Sequence, residues 1–161
     1  MDSRDDILPP PPPVLHHASL AWAGQPCTLL SVADGDTIRV QGGPLITIED
    51  RIRLLGIDAP ERNEDGWALS RELLGSLVRN REIRVEGIHA GTLTRGRCNR
   101  ILAWVWVDEC LVNWQMVMHG LARSAHDWGE GTHTAALDAA EAYARSRGFP
   151  QKNMGSRIKI V

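Results

Sequence analysis

Between residues 28 and 55 apolar and polar positions alternate in short runs, Thr28 to Val32, Thr37 to Gln41 and Leu45 to Leu55. The breaks between them, Asp34-Gly35-Asp36 and Gly42-Gly43-Pro44, are turn chemistry. A period of two puts one face of a strand in a core and the other toward solvent, so this stretch predicts three strands. In the third, Ile52 and Leu54 enter the core while Arg51 and Arg53 leave the opposite face. At Gly66 the spacing lengthens: Trp67, Leu73, Leu74, Leu77 and Val78 share one stripe of a helix running to Asn80. Strand character returns from Ile83 to Ile88, followed by a turn rich in Gly and Arg. Arg100 to Val107 then predicts a strand with Trp104 and Trp106 on one face, and Cys110 to Val112 its partner across Asp108-Glu109. Asn113 fits a helix N-cap before Trp114, Val117, Met118 and Leu121, with Gly120 as the stop. A last helix from Thr134 to Arg147 turns Leu137, Ala140 and Ala144 inward. Short strands with one helix inserted among them and two after them predict an α+β fold, a five-stranded OB-type barrel carrying about three helices.

Composition sets the scale of that unit. The chain has 161 residues, 43% hydrophobic and 24% charged, which is one domain's worth and enough to bury a core without staples. Residues 1–25 read as an extension, because Pro9 to Pro13 is a polyproline II run with no backbone donors. The expected division is this proline-containing extension, a folded domain over 26–150 and a tail over 151–161. A proline run can serve as a ligand for a protein partner, but it lacks a flanking specificity residue here, so a spacer is the expectation. The adjacent His16 and His17 cannot close a metal site without further ligands. No apolar run is long enough to cross a bilayer, and the acidic start is unlike a secretory signal, so a cytoplasmic location without membrane partners is expected. Cys27, Cys98 and Cys110 are far apart and form no CxxC pair, which predicts buried free thiols.

The formal net charge of −2 argues against an indiscriminately basic coat for nucleic acid, yet it hides an asymmetry. Arg79, Arg81, Arg84, Arg95, Arg97 and Arg100 against Glu82 and Glu86 sum to +4 over Arg79–Arg100. Arg123 against Asp108, Glu109, Asp127, Glu130 and Asp138 sums to −4 over Ile101–Asp138. Two carboxylate clusters stand out, Asp34-Gly35-Asp36-Thr37 before a strand and Asp58-Ala59-Pro60-Glu61 just after the strand bearing Arg53. Hard divalent cations take oxygen ligands from more than one segment, and strand ends in a small barrel can bring such turns together. The first cluster is no EF-hand, since Leu45 stands where the bidentate Glu would be needed. Alone, Asp-Gly-Asp reads as a solvated turn, Arg53 as a surface strand arginine and Glu61 as a loop carboxylate. Together they read as chemistry: bidentate guanidinium groups suit the equatorial oxygens of a phosphoryl transition state, and a carboxylate can position or deprotonate water.

Pro26-Cys27-Thr28-Leu29-Leu30-Ser31-Val32-Ala33-Asp34-Gly35-Asp36-Thr37, then Arg53-Leu54-Leu55-Gly56-Ile57-Asp58-Ala59-Pro60-Glu61, then Arg100-Ile101-Leu102-Ala103, resembles the thermonuclease (staphylococcal nuclease-like) family. Val112-Asn113, His119-Gly120-Leu121-Ala122 and Ala140-Glu141-Ala142-Tyr143-Ala144 continue the likeness, which spans Pro26 to Gly148. The resemblance implies a calcium-dependent phosphodiesterase on an OB-fold, cutting DNA, RNA or both with little sequence specificity. It implies Asp36, Asp58 and the Ala59 backbone carbonyl as calcium ligands, with Asp34 supporting them. Glu61 would orient or deprotonate the attacking water, and Arg53 and Arg100 would bind the phosphate. His126 and Trp128 fall where the family carries aromatic residues that stack near the nucleotide, and core packing is the competing account for Trp128. The chain departs from the family at Gly96-Arg97-Cys98-Asn99-Arg100, where Asp-x-Tyr-Gly-Arg is usual. Cys98 thus replaces an aromatic contact, Asn99 replaces the loop glycine, and Arg97 becomes a second candidate for the phosphate. The loop after Glu61 is short, and Phe149-Pro150 replaces a tryptophan after the last helix. The reading from another class is a noncatalytic OB-type module that holds single-stranded nucleic acid or a protein through Arg79–Arg100. The mixture of Asp36, Asp58, Glu61, Arg53 and Arg100 favours the enzyme, because a binding module has no need of it.

Overall fold

The hairpin of β1 (Thr28–Asp34) and β2 (Thr37–Gln41) starts a sheet in a computed structural model that describes residues 7–43, 49–89 and 91–150. Register shifts between Leu29 and Ser31 and between Val32 and Asp34 interrupt this ladder, and such bulges bend and twist a strand enough to begin a barrel. β2 pairs antiparallel with β3 (Asp50–Leu54), and β3 runs parallel to β7 (Ile101–Val107). β7 in turn pairs antiparallel with β5 (Arg84–Glu86). The ends of that path meet, for Cys27 and Ile83, just ahead of β1 and β5, exchange backbone hydrogen bonds of 2.8 and 2.9 Å. The five strands therefore close on themselves, as the alternating pattern and the resemblance both imply.

β7 is buried at all seven positions. It is flanked on both edges, by β3 and β6 (Thr94–Arg95) and by β5 and β8 (Cys110–Leu111), and α2 (Val112–Met118) packs on it. α1 (Trp67–Val78) buries Ser70, Leu74, Gly75 and Val78 beside β1. α3 (Thr134–Ser146) turns Leu137, Ala140 and Ala144 inward against α2, as its spacing predicts. A second ladder, too short for any periodic signal, joins β4 (Ile57–Asp58) to β9 (Arg123–Ser124). None of the described helices is long and apolar enough to cross a membrane.

Several expectations change. Asn113 is not an N-cap: the helix begins one residue earlier, and Asn113 is fully buried. Its Oδ1 accepts from the Val105 N–H at 2.9 Å and its Nδ2 donates to the Leu55 carbonyl at 2.8 Å, so it pins α2 to the barrel. Of the cysteines, only Cys27 is buried; Cys98 and Cys110 are exposed in loops or at a strand end. Burial pushes the Cys27 thiol up to about 12, which leaves it a small inert hydrophobe. The strand expected from Leu45 begins at Asp50, residues 44–48 lying outside the described residues, as does the tail from 151.

Packed structure also reaches further toward the N-terminus than residue 26. Leu20, Ala21 and Trp22 are buried in the core, and Leu20 bridges to Glu86 of β5. Glu86 accepts hydrogen bonds from Trp106 Nε1 at 3.0 Å and pairs with His133 Nε2 at 2.8 Å, while Trp104 and Trp106 meet the His133 ring edge-on. The bridge at Leu20 thus ties the segment before β1 to the strand that carries this buried polar pair, which must be fully satisfied. Leu20→Ala is expected to lower the unfolding free energy by about 2–3 kcal/mol, the usual cost of a truncated core leucine. Urea denaturation followed by tryptophan fluorescence measures this, and a midpoint equal to that of the wild type would remove the segment from the core.

Candidate active site

The turn between β1 and β2 and the turn after β3 converge because each carries a glycine with no room for a side chain. A Cβ on Gly35 would lie 1.7 Å from Ser70 Oγ of α1, so only glycine lets the helix press on the Asp34–Asp36 turn. Gly56, at φ +74°, reverses the chain between β3 and β4, and a Cβ there would meet Leu137 at 2.6 Å and Trp104 at 2.8 Å. The chain leaving β3 with Arg53 therefore returns as Asp58-Ala59-Pro60-Glu61 opposite Asp36.

The Asp36 carboxylate is buried, 7% exposed, and ties these segments together. Its Oδ2 accepts the Ala59 N–H at 2.9 Å and faces Arg53 Nη2 at 3.3 Å; its Oδ1 accepts from the Thr37 hydroxyl at 3.0 Å. Arg53, equally buried, donates from Nη1 to the carbonyls of Leu54 at 2.6 Å and Ile57 at 2.9 Å. A guanidinium held by three partners is fixed before any substrate arrives. Asp34 accepts from Trp67 Nε1 at 2.7 Å, and Asp58 faces Arg123 Nε at 3.5 Å.

Arg100 reaches the same place through an unusual loop. Cys98 and Asn99 both stand in the left-handed region, at φ 60° and 57°, which costs a non-glycine residue about 1–2 kcal/mol. Arginines outside the loop hold it there. Arg51 Nη2 donates to the Cys98 carbonyl at 2.7 Å, and Arg95 Nη1 donates to the Asn99 carbonyl at 2.9 Å while both its terminal nitrogens grip Asp50 at 2.8 and 2.6 Å. The Arg95 guanidinium holds the Asp50 carboxyl below its ordinary range, burial opposing it in part. Arg100 itself donates from Nη1 to Thr37 Oγ1 at 3.4 Å and from Nε to the Arg97 carbonyl at 3.2 Å.

These groups line one cavity of about 660 Å³, which brings together Asp34, Asp36, Arg53, Asp58, Ala59, Glu61, Arg97, Arg100 and Trp128. Asp127, Pro60 and Leu102 complete its wall. Asp127 was visible in the sequence only as one term of an acidic sum. Glu61 is exposed; its backbone N–H donates to Glu64 Oε1 at 2.9 Å. Trp128 is not core: it is 37% exposed, with the Arg53 guanidinium 5.2 Å from its ring centroid. Trp67, expected on the buried stripe of α1, is half-buried and turned to Asp34. His126 does not line the cavity, and its Nε2 meets Asp138 Oδ1 at 2.9 Å, an oxygen that also accepts from the Ser124 hydroxyl at 2.6 Å.

Among the described residues no group of three or more His, Cys, Asp or Glu side chains is placed to hold a metal ion by itself. The cavity's acidic donors are all oxygens. Asp36 spends most of its lone pairs inside the protein, and what remains suits a single bond to a hard cation completed by a second carboxylate, a backbone carbonyl and water.

A family model for staphylococcal nuclease homologues matches residues 51–153. Protein ParB of Escherichia coli is 33% identical over 135 residues, covering 78% of this chain and 68% of that protein. A protein of Escherichia coli named as an uncharacterized endonuclease is 36% identical over 95 residues, 58% of this chain and 57% of its own length. One so named from Haemophilus influenzae is 30% identical over 98 residues, 60% of this chain and 50% of its own. The chain thus spans about half the length of the endonuclease-named relatives.

Asp138 raises the affinity of His126 for its proton, by hydrogen bonding first and by charge second. Burial pushes the Asp138 carboxyl up, but the Ser124 hydroxyl and His126 together outweigh it and hold that group low. His126 is therefore expected to titrate above the ordinary value of about 6.5 in an NMR titration, and Asp138→Asn to bring it back. The stability this pair adds is lost as pH rises through the raised pKa of His126 and, because Asp138 is held low, is lost again in acid as pH falls through the pKa of Asp138. An unshifted His126 would mean that the pair does not form in solution.

Proposed function

The chain belongs to the staphylococcal nuclease homologue family, and from that premise and the chemistry of the cavity we propose that it is a calcium-dependent phosphodiesterase acting on DNA, RNA or both. The observation that carries the reading is the gathering of Asp36, Asp58, Glu61, Arg53 and Arg100 around one open cavity. Asp36, Asp58 and the Ala59 carbonyl would hold the cation, with Asp34 steadying the turn through Trp67. When bound, the ion supplies positive charge that offsets the phosphate's own and eases loss of a proton from nearby water.

The chain's own groups account for the rest. Arg53, fixed by Asp36 and two carbonyls, offers its remaining donors to a phosphate oxygen, and Arg100 approaches from the other rim. Their charge is worth most as the phosphorus becomes five-coordinate and negative charge gathers on its equatorial oxygens. Glu61 is free to turn toward a water in line with the bond to be cut. The water oxygen bonds to phosphorus, its proton passes to Glu61, and the ester P–O bond breaks with the leaving oxygen taking a proton from solvent. Trp128 offers a ring to a neighbouring base, a contact that tolerates any base and suits cutting without sequence readout.

Cleavage of labelled single- and double-stranded DNA and RNA, with calcium, magnesium or excess chelator, tests the reading. Activity is expected with calcium and is expected to vanish in chelator. Glu61→Gln keeps the shape and removes the base, so turnover is expected to fall roughly 100-fold or more with affinity unchanged or higher. Arg53→Ala and Arg100→Ala are each expected to lower turnover by about 10²–10³-fold. Arg53→Ala also strands a buried carboxylate, for about 3–5 kcal/mol of stability, so its turnover is compared at a temperature where circular dichroism shows it folded. A small loss at Arg100 beside a large one at Arg53 would shift the phosphate contact to Arg97. Wild type that binds nucleic acid but cuts none with any of these metals would leave a binding module instead.

A further inference from the structure

The reaction cavity does not end at Glu61. A second hollow of about 670 Å³ shares Asp34 and Glu61 with it and is walled by Arg62, Trp67 and Arg71. A third, of about 330 Å³, shares Trp67 and Arg71 with the second and ends at Arg79. The three make one path from the reaction cavity along α1, and the stretch from Trp67 to Arg79 is about 18 Å long by helix rise.

Several arginines elsewhere are neutralised by acids, although among the described residues Arg51, Arg97, Arg100 and Arg147 are not. Arg39, Arg81, Arg84, Arg95, Arg123 and Arg145 each face a carboxylate within 3.7 Å. Among the described residues Arg62, Arg71 and Arg79 have no such partner, although Glu72 lines the third hollow with them. They are held in other ways. Arg62 and Arg71 lie 5.6 and 5.4 Å from the Trp67 ring centroid, and Arg71 Nε donates to the Val32 carbonyl at 3.0 Å. Arg79 lies against α1 where Gly75 leaves space, since a Cβ there would come within 2.9 Å of its guanidinium. Arginines that follow one another along a groove, unpaired with the carboxylates that also line it, and that continue from the reaction cavity, match the spaced charges of a polyanion.

We infer that this path is a second nucleic-acid subsite, in which an unpaired strand held in the reaction cavity continues over Trp67 and lays its phosphates along Arg62, Arg71 and Arg79. The inference rests on the nuclease reading. Guanidinium groups bind phosphate through paired donors, and guanidinium planes and aromatic rings stack on bases only when those bases are not already paired. The strand lying here flanks the bond to be cut on one side, and it adds affinity without adding chemistry.

The experiment compares dye-labelled single strands of about three and about ten nucleotides by fluorescence anisotropy in excess chelator, over a range of salt concentrations. The ten-mer is expected to bind wild type more tightly than the three-mer. Arg62→Gln/Arg79→Gln is expected to cut that advantage about 10-fold and to flatten the ten-mer's salt dependence by about 1.4 log units per log unit of salt, 0.7 for each phosphate contact. Trp67→Phe, which keeps a ring and removes the bond to Asp34, is expected to retain most of the advantage, whereas Trp67→Ala is expected to lose it. Arg145→Gln, on α3, is the charge control and is expected to leave it intact. An unchanged length advantage in the double variant, in a protein that cuts the ten-mer once calcium is added, would overturn the inference alone. So would a duplex that binds as tightly as the single strand and is weakened as much by the double variant. Failure of wild type to bind or cut either strand would overturn the nuclease reading and this inference with it.

Discussion

A carboxylate and a guanidinium removed from water must be satisfied on every side, and this molecule meets that demand for Asp36 and Arg53 by bringing chain segments to them. The pair alone would be a poor source of stability, because the desolvation of two ions roughly cancels their attraction. Its value is positional. The donors that complete Asp36 come from Thr37 and Ala59, and the acceptors that complete Arg53 come from Leu54 and Ile57, so the demand for partners folds the segment after β3 back onto the β1–β2 turn. Asp58 and Glu61 arrive at the cavity because their neighbours are needed there. Gly35 and Gly56 make the approach sterically possible, and Ser70, packed on the Gly35 turn, donates its hydroxyl to the Leu121 carbonyl at 2.7 Å and so ties α1 to the segment after α2.

The distribution of charge follows a similar logic. A net charge near zero is compatible with an anionic substrate because several arginines are neutralised locally while others among the described residues, Arg97 and Arg100 at the cavity and Arg62, Arg71 and Arg79 beside it, are not. Conversely, carboxylates near the cavity are tied to a neighbour where they would otherwise repel a phosphate: Asp34 to an indole, Asp36 to three donors, Asp58 against Arg123. Glu61, proposed to take a proton from water, stays exposed.

Much of this was legible in the residues. Alternation located β1, β2, β5 and β7, helical spacing located α1 and α3, and the clustered Asp, Glu and Arg residues pointed to one cavity. What stayed hidden has a common physical origin. β4 and β9 are two residues long, so their pairing is created by tertiary geometry and leaves no period to read. Asn113 looks like a cap because asparagine satisfies backbone groups in both settings, and only packing decides whose. Trp67 sits on the apolar stripe by spacing yet turns its N–H to Asp34, since the amphipathic ring can serve either face. His126 was drawn away by Asp138, twelve residues on, a partner no local pattern names.

The loop before Arg100 carries a consequence of its own. Where a glycine would rest in the left-handed region unaided, Cys98 and Asn99 are kept there by Arg51 and Arg95, the latter braced on Asp50 near the protein surface. Ions in the surrounding solution weaken a brace of that kind, and they also weaken attraction for a charged strand. The two losses multiply, so this protein's sensitivity to ionic strength should exceed what the number of phosphates it touches would give, and the surplus measures how much of its shape depends on electrostatic bracing.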